Sequence, residues 1–241
     1  MKQPVRFTVP ILFLASVLAS PGGEFWEKKE YRQWSQKECN KLLEDSPWSK
    51  QFTLTNVGIM DSQDKMSSSA QQPFIKYQVQ FRSALPVRQA TVRQMQIAQK
   101  YDSLTPEQRQ EFDKRAEAFL SADLSDAVVV NVSYTTNNQT NALELARYWQ
   151  SQTTDLLKNF VYLIGSKGNK VAVGRYAAPQ GGQQEFQFIF PRQVDGKPIL
   201  DPQEKSLKLE FTYPIVGNMG DGRAFLEFKT GKMIFQGNIA Y

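Results

Sequence analysis

From Ile75 to Arg82 apolar and polar side chains alternate without a break. Ile75, Tyr77, Val79 and Phe81 fall on one side, and Lys76, Gln78, Gln80 and Arg82 on the other. A period of two predicts a strand with one buried and one wet face, as in an antiparallel sheet. The pattern returns at Val128, Val130, Val132 and Tyr134, and at Phe186, Phe188 and Phe190. It returns again at Leu207, Leu209, Phe211 and Tyr213, against Ser206, Lys208, Glu210 and Thr212. Phe52, Leu54 and Val57 mark a strand further upstream. Val161–Ile164 and Val171–Tyr176 flank a Ser166-Lys167-Gly168-Asn169 turn, which predicts a hairpin. Ala224, Leu226 and Phe228 are expected to meet Met233 and Phe235 across Thr230-Gly231.

Helical spacing occupies the intervals. Ser35-Gln36-Lys37-Glu38 is a capping box, with Trp34 and Cys39 placed for a hydrophobic staple. Cys39, Leu42 and Leu43 form the buried stripe, and the helix should end near Asp45 because Pro47 disfavours helical Ser46. Ser46 and Pro47 can then cap a short turn carrying Trp48. Residues 86–121 predict two helices. The second starts with Thr105 as N-cap and Pro106 at the first helical position, and its stripe is Phe112, Ala116, Phe119 and Leu120. Asn141-Ala142-Leu143-Glu144 opens another helix, with Leu145, Trp149 and Leu156 on one side. The expected fold is α+β, a mostly antiparallel sheet of about eight or nine strands with helices packed on one face. Residues 24–241 are expected to form a single domain, with 61–72 a flexible, polar, Ser/Gln-rich loop.

The first 23 residues have a different character. Lys2 and Arg6 precede an apolar run, Phe7 to Leu18, broken only by Thr8, Pro10 and Ser16. Its length fits the core of a signal peptide and is short of the ~20 residues a spanning helix needs. Small residues follow at Ala19, Ser20, Gly22 and Gly23. The expectation is a leader over 1–23 and an exported, periplasmic or extracellular, soluble body without an integral membrane span. An uncleaved anchor or a buried strand are the alternatives.

Trp34, Ser46-Pro47-Trp48 and a closing Met233-Ile234-Phe235-Gln236-Gly237 segment, behind such a leader, resemble a group of uncharacterised exported bacterial proteins of the kind numerous in acidobacteria. The resemblance implies bacterial origin and export, and carries no activity or functional residues with it.

Composition removes chemistry. The 241 residues include no histidine and one cysteine. That excludes Ser-His-Asp and Cys-His catalysis, histidine-containing zinc sites and thiolate clusters. Cys39 cannot form an internal disulfide; it reads as a small buried hydrophobe, with intermolecular pairing the alternative. The net charge of +5 is spread without a basic block, so nucleic acid is not an expected partner. No cofactor or metal is implied, and no catalytic residue is assigned. Ser62-Gln63-Asp64-Lys65 and Lys229-Thr230-Gly231 match, in order, two motifs of penicillin-recognising serine enzymes, yet the first sits in a polar loop and the second reads as a turn. Asp61 and Asp64 lack the spacing of a calcium loop. Acid catalysis needs two carboxyl groups facing one cleft. Glu185, Glu210 and Glu227 are strand acids, while Asp195, Asp201 and Asp221 lie beside turn residues. Trp26, Trp34, Trp48 and Trp149 are core residues or sugar-stacking platforms. Met233, Phe235, Ile239 and Tyr241 alternate like the last strand of a membrane barrel, but the intervening helices favour a strand paired into a soluble sheet. The function expected is a non-catalytic binding or structural module of the bacterial cell envelope, with an unknown envelope or extracellular partner. A secreted, glycosidase-like carboxylate hydrolase is the alternative.

Overall fold

The period-two segments become strands, but they do not share one sheet. The computed structural model describes residues 23–55, 72–200, 203–220 and 222–241. Residues 1–22 of the expected leader, Val57 and residues 61–71 of the expected 61–72 loop lie outside the described residues. The helices are α1 (Phe25–Lys28), α2 (Gln36–Glu44), α3 (Leu85–Ala98), α4 (Pro106–Leu120), α5 (Gln139–Ser151) and α6 (Thr154–Leu157). The strands are β1 (Ser49–Thr55), β2 (Phe74–Phe81), β3 (Ala127–Thr136), β4 (Val161–Gly165), β5 (Lys170–Ala172), β6 (Arg175–Ala177), β7 (Glu185–Pro191), β8 (Gln193–Val194), β9 (Lys197–Pro198), β10 (Ser206–Thr212), β11 (Arg223–Lys229), β12 (Ile234–Phe235) and β13 (Asn238–Ile239).

The fold is α+β with antiparallel sheets, as expected. The single sheet of eight or nine strands is corrected to one of five, β1-β2-β3-β7-β6, and one of four, β11-β10-β4-β5, with two small ribbons, β8-β9 and β12-β13. Alternation along a strand specifies which side is buried and is silent on which strand pairs with which. The apolar sides of the two sheets meet through aromatic rings. Tyr77 lies edge-on to Phe211 at 6.3 Å, Phe188 is 5.6 Å from Phe211, and Phe81 meets Phe228 at 4.7 Å. From α5, Trp149 stacks on Phe186 at 3.9 Å and reaches Phe211 at 6.5 Å, so this helix bridges both sheets. The buried side chains form one continuous core.

Three further expectations change. The strand expected over Val171–Tyr176 is two strands: β5 pairs with β4, and after Val173-Gly174 the chain crosses to pair β6 with β7. Phe228 does not meet Met233 across a hairpin. Instead β11 pairs with β10, and β12 folds back on β13 rather than joining a larger sheet. Gln236 and Gly237 both have positive φ, 50° and 78°, which suits the tight turn of that ribbon. Leu156 does not continue the α5 stripe. The helix ends at Ser151, and Leu156 is exposed in α6, where Leu157 is buried instead.

The helical starts form as the sequence specifies. Ser35 Oγ accepts from the Glu38 amide while Glu38 accepts from the Ser35 amide, and Thr105 and Gln108 repeat this at α4. The polar side of β2 is not simply wet. Gln78 and Gln80 donate to the Leu43 carbonyl at 2.7 and 2.8 Å, supplying partners to the C-terminal end of α2. Arg82 lies over the Phe119 ring of α4 at 5.9 Å.

Candidate functional site

The apolar stripe of α4 is only partly covered. Phe112 is buried, while Ala116 and Phe119 remain half-buried and Met95 of α3 is 49% exposed. Between these helices lies a cleft of about 230 Å³ lined by Val92, Met95, Gln99, Phe112, Ala116 and Phe119, with Arg82 and Arg115. Lining positions recur at three-, four- and seven-residue spacing on each helix. The cleft therefore runs about 10 Å along the axes, two helical turns at ~1.5 Å per residue.

Specific contacts hold its walls apart and in place. Arg88, on α3, is buried and donates from Nη1 to the carbonyls of Phe119, Leu120 and Ala122 at 3.1, 2.9 and 3.2 Å. A cation at a helix C-terminus satisfies carbonyls that lack intrahelical partners. Burial, and Arg192 nearby, hold the Arg88 guanidinium below its usual range. Midway along α4, the Tyr101 hydroxyl donates to Asp113 at 2.7 Å and its ring lies edge-on to Phe112. Arg93 donates to the Trp34 carbonyl at 2.9 Å, tying α3 to the segment before α2.

Arg82 stands apart. Its side chain is 17% exposed, and its Nε is buried with no hydrogen-bond partner among the described residues. Among the described residues its one ion-pair partner is Glu185 at 3.8 Å, beyond hydrogen-bond distance. Desolvation lowers its pKa, with Glu185 acting the other way. A guanidinium carries five donors and stays charged at neutral pH. Only Nε is fully buried without an acceptor, whereas Nη1 and Nη2 are not fully buried and make no hydrogen bond among the described residues, so they are the donors an anion entering the cleft would meet.

Of the acids considered for catalysis, Glu185 lies in a different sheet from Glu210 and Glu227. Glu185, on β7, faces Arg82 and accepts from Asn131 at 3.4 Å. Glu210 and Glu227 share the outer face of β10 and β11, because Glu210 opposes Phe225 and Glu227 opposes Lys208. Such diagonal neighbours stand roughly 7–8 Å apart. Lys170 and Arg223 flank Glu210 at 3.4 and 3.9 Å, and this face is an open sheet surface. Asp195 has a positive φ of 52° in the β8-β9 turn, a backbone role. Asp61, Asp64, Asp201, Asp221 and the Ser62-to-Lys65 motif lie outside the described residues. Thr230 is buried and its hydroxyl donates to the Glu204 carbonyl, so Lys229-Thr230-Gly231 is a structural turn. Among the described residues no cluster of three or more acid or cysteine side chains could hold a metal ion, and no helix is long and apolar enough to cross a membrane.

All four tryptophans are packed. Trp26 is 5% exposed and the others fully buried. Trp26 meets Phe25 and Trp48 edge-on, and the Trp48 indole donates to the Ala240 carbonyl at 2.7 Å. None offers a free face to a sugar. A hollow of about 470 Å³ beside Trp26 and Gln236 therefore lacks a stacking platform at its tryptophan. Another, of about 310 Å³, gathers Lys41, Lys50, Lys229 and Lys232 but also Glu24, Asp45 and Glu227, and Lys41 is already paired with Glu24 at 3.0 Å.

The sequence placed Arg82 with Lys76, Gln78 and Gln80 on a polar strand face that could carry partner contacts or simply be solvated, and did not separate it from those neighbours. The stripe of Phe112, Ala116 and Phe119 was visible, but its incomplete covering depends on how α3 and α4 cross. No protein-family model matches the chain, and neither a curated protein nor a solved structure is similar to it.

Proposed function

We propose that this chain is an exported, non-catalytic binding module of the bacterial cell envelope, with the cleft between α3 and α4 as its ligand site. The observation that carries the reading is Arg82: a mostly buried guanidinium, without a hydrogen bond among the described residues, in a cleft whose lining is apolar apart from Gln99 and the exposed Arg115. Pockets that hold small molecules are mostly apolar, with a few placed polar groups that orient the ligand. The dispersion of Glu185 from Glu210 and Glu227 supports binding over acid catalysis. Export rests on the basic and apolar leader before Ala19.

Two measurements test this. The mature N-terminus, read by mass spectrometry from an envelope fraction, should begin within a few residues of Ala19; full-length chain in the cytosol contradicts export. Native mass spectrometry of protein purified from its own envelope should show a bound small molecule, and Ala116→Phe, which fills the cleft, should release it. Retention by a folded Ala116→Phe variant contradicts the site.

A further inference from the structure

The geometry points to a ligand class for this cleft: a single-chain amphiphile carrying one carboxylate, its headgroup on Arg82 and its tail along α3 and α4. This rests on the cleft being the ligand site. Three features select the class.

The first is the receptor. A planar guanidinium matches a carboxylate through two parallel hydrogen bonds; the Nε of Arg82 is buried, and its Nη1 and Nη2 make no hydrogen bond among the described residues, which leaves that terminal pair to a carboxylate. The second is the charge balance around it. Arg82 and Arg115 are accompanied by Glu185, at 3.8 Å from Arg82, and Glu111, at 3.4 Å from Arg115. Arg115 and Glu111 are 71% and 61% exposed and largely screened, so the headgroup meets one desolvated cation with an acid beside it. That setting accepts a monoanion and disfavours a dianion such as a phosphomonoester.

The third is size. Val92, Met95, Phe112, Ala116 and Phe119 line the cleft along about two turns of each helix. Its 230 Å³ holds roughly eight water-sized groups at ~30 Å³ each, which is the scale of an acyl chain of about eight to ten carbons. Met95, half exposed and unbranched, can follow the tail.

Decanoate and decanol share a tail and differ in the headgroup. Isothermal titration of the mature protein at pH 8, with both probes in monomeric form, should show decanoate binding at least tenfold more tightly than decanol. Arg82→Gln should remove that preference by weakening decanoate at least tenfold while changing decanol less than twofold. Arg82→Lys should retain part of it, because the charge stays and the planar fork is lost. Ala116→Phe should weaken both probes. Far-UV circular dichroism and a thermal melt confirm that each variant is folded. Equal affinity of wild type for the two probes, or an Arg82→Gln variant that keeps the preference, overturns the carboxylate assignment and leaves the cleft standing as a site. Binding of neither probe, or undiminished binding of both by Ala116→Phe, overturns the assignment together with the cleft.

Discussion

Replacing Arg88 with methionine isolates the contact that docks α4 against α3. Methionine keeps much of the apolar stem and removes the guanidinium. Three carbonyls lose their donor, those of Phe119, Leu120 and Ala122. Nη1 has only two N–H groups, so the three contacts amount to about two full bonds. Each hydrogen bond to a charged group contributes about 1.5–3 kcal/mol, a gross ~3–6 kcal/mol. Two effects reduce the loss: the variant no longer buries a charge, and the end of α4 lies near solvent, so the freed carbonyls partly rehydrate. The expected net destabilisation is about 2–4 kcal/mol. For a chain of this size that corresponds to a fall in melting temperature of roughly 4–16 °C. Guanidinium denaturation followed by circular dichroism measures it directly, with an unchanged slope expected if unfolding remains two-state. Hydrogen exchange should show α4 amides losing protection before those of β3, and decanoate affinity should fall with them. A change below about 0.5 kcal/mol, with α4 protection intact, refutes the docking role.

The remaining expectations concern the core and the first capping box. Trp149→Ala should cost about 3–5 kcal/mol in equilibrium denaturation, because the indole is fully buried between Phe186 and rings of both sheets; a loss under 1 kcal/mol contradicts the bridging role. The Glu38 carboxyl is held down at about 2, first by the hydrogen bond from Lys29 and then by the Ser35 amide. Its folded pKa lies below its ordinary 4.5, so its contribution is complete above that pH and is lost as pH falls towards 2. Wild type should therefore shed about 1 kcal/mol across that interval, after allowance for solvent screening, that Glu38→Gln does not; parallel pH profiles for the two proteins would rule this out. Burial pushes the Cys39 thiol up to about 11, so a thiol reagent at pH 8 should label native protein at least a hundredfold more slowly than denatured protein, and prompt labelling of the native state would contradict its burial.

Local chemistry was the most legible part of the sequence. The boxes at Ser35 and Thr105 are decided by residues three apart, and they formed with the bonds their spacing specifies. Burial along β2 followed alternation for the same reason, and the apolar positions expected in β3, β7 and β10 are all buried. But β3 is buried without a break from Val128 to Val132 and β7 from Phe188 to Phe190, because their second faces are covered too. Pairing was less legible. The crossing at Gly174 and the β12-β13 ribbon depend on partners far away in the chain, and the alternating residues carry no record of them. Gln78, Gln80 and Arg82 show the limit most clearly. A polar strand face looks alike whether water or a helix end covers it, so neither the contacts to Leu43 nor the buried, acceptor-free Nε of Arg82 could be read in advance.

Methionine methyl signals test the cleft most directly. Met95 lines it and is half exposed, whereas Met219 and Met233 are fully buried away from it. In protein labelled with carbon-13 at the methionine methyls, titration with decanoate should move the Met95 resonance saturably and leave those of Met219 and Met233 in place, and Arg82→Gln should abolish the movement at the same concentrations. A stationary Met95 signal at saturating decanoate, or movement of Met219 and Met233 in its stead, would contradict the assignment of this cleft as the binding site.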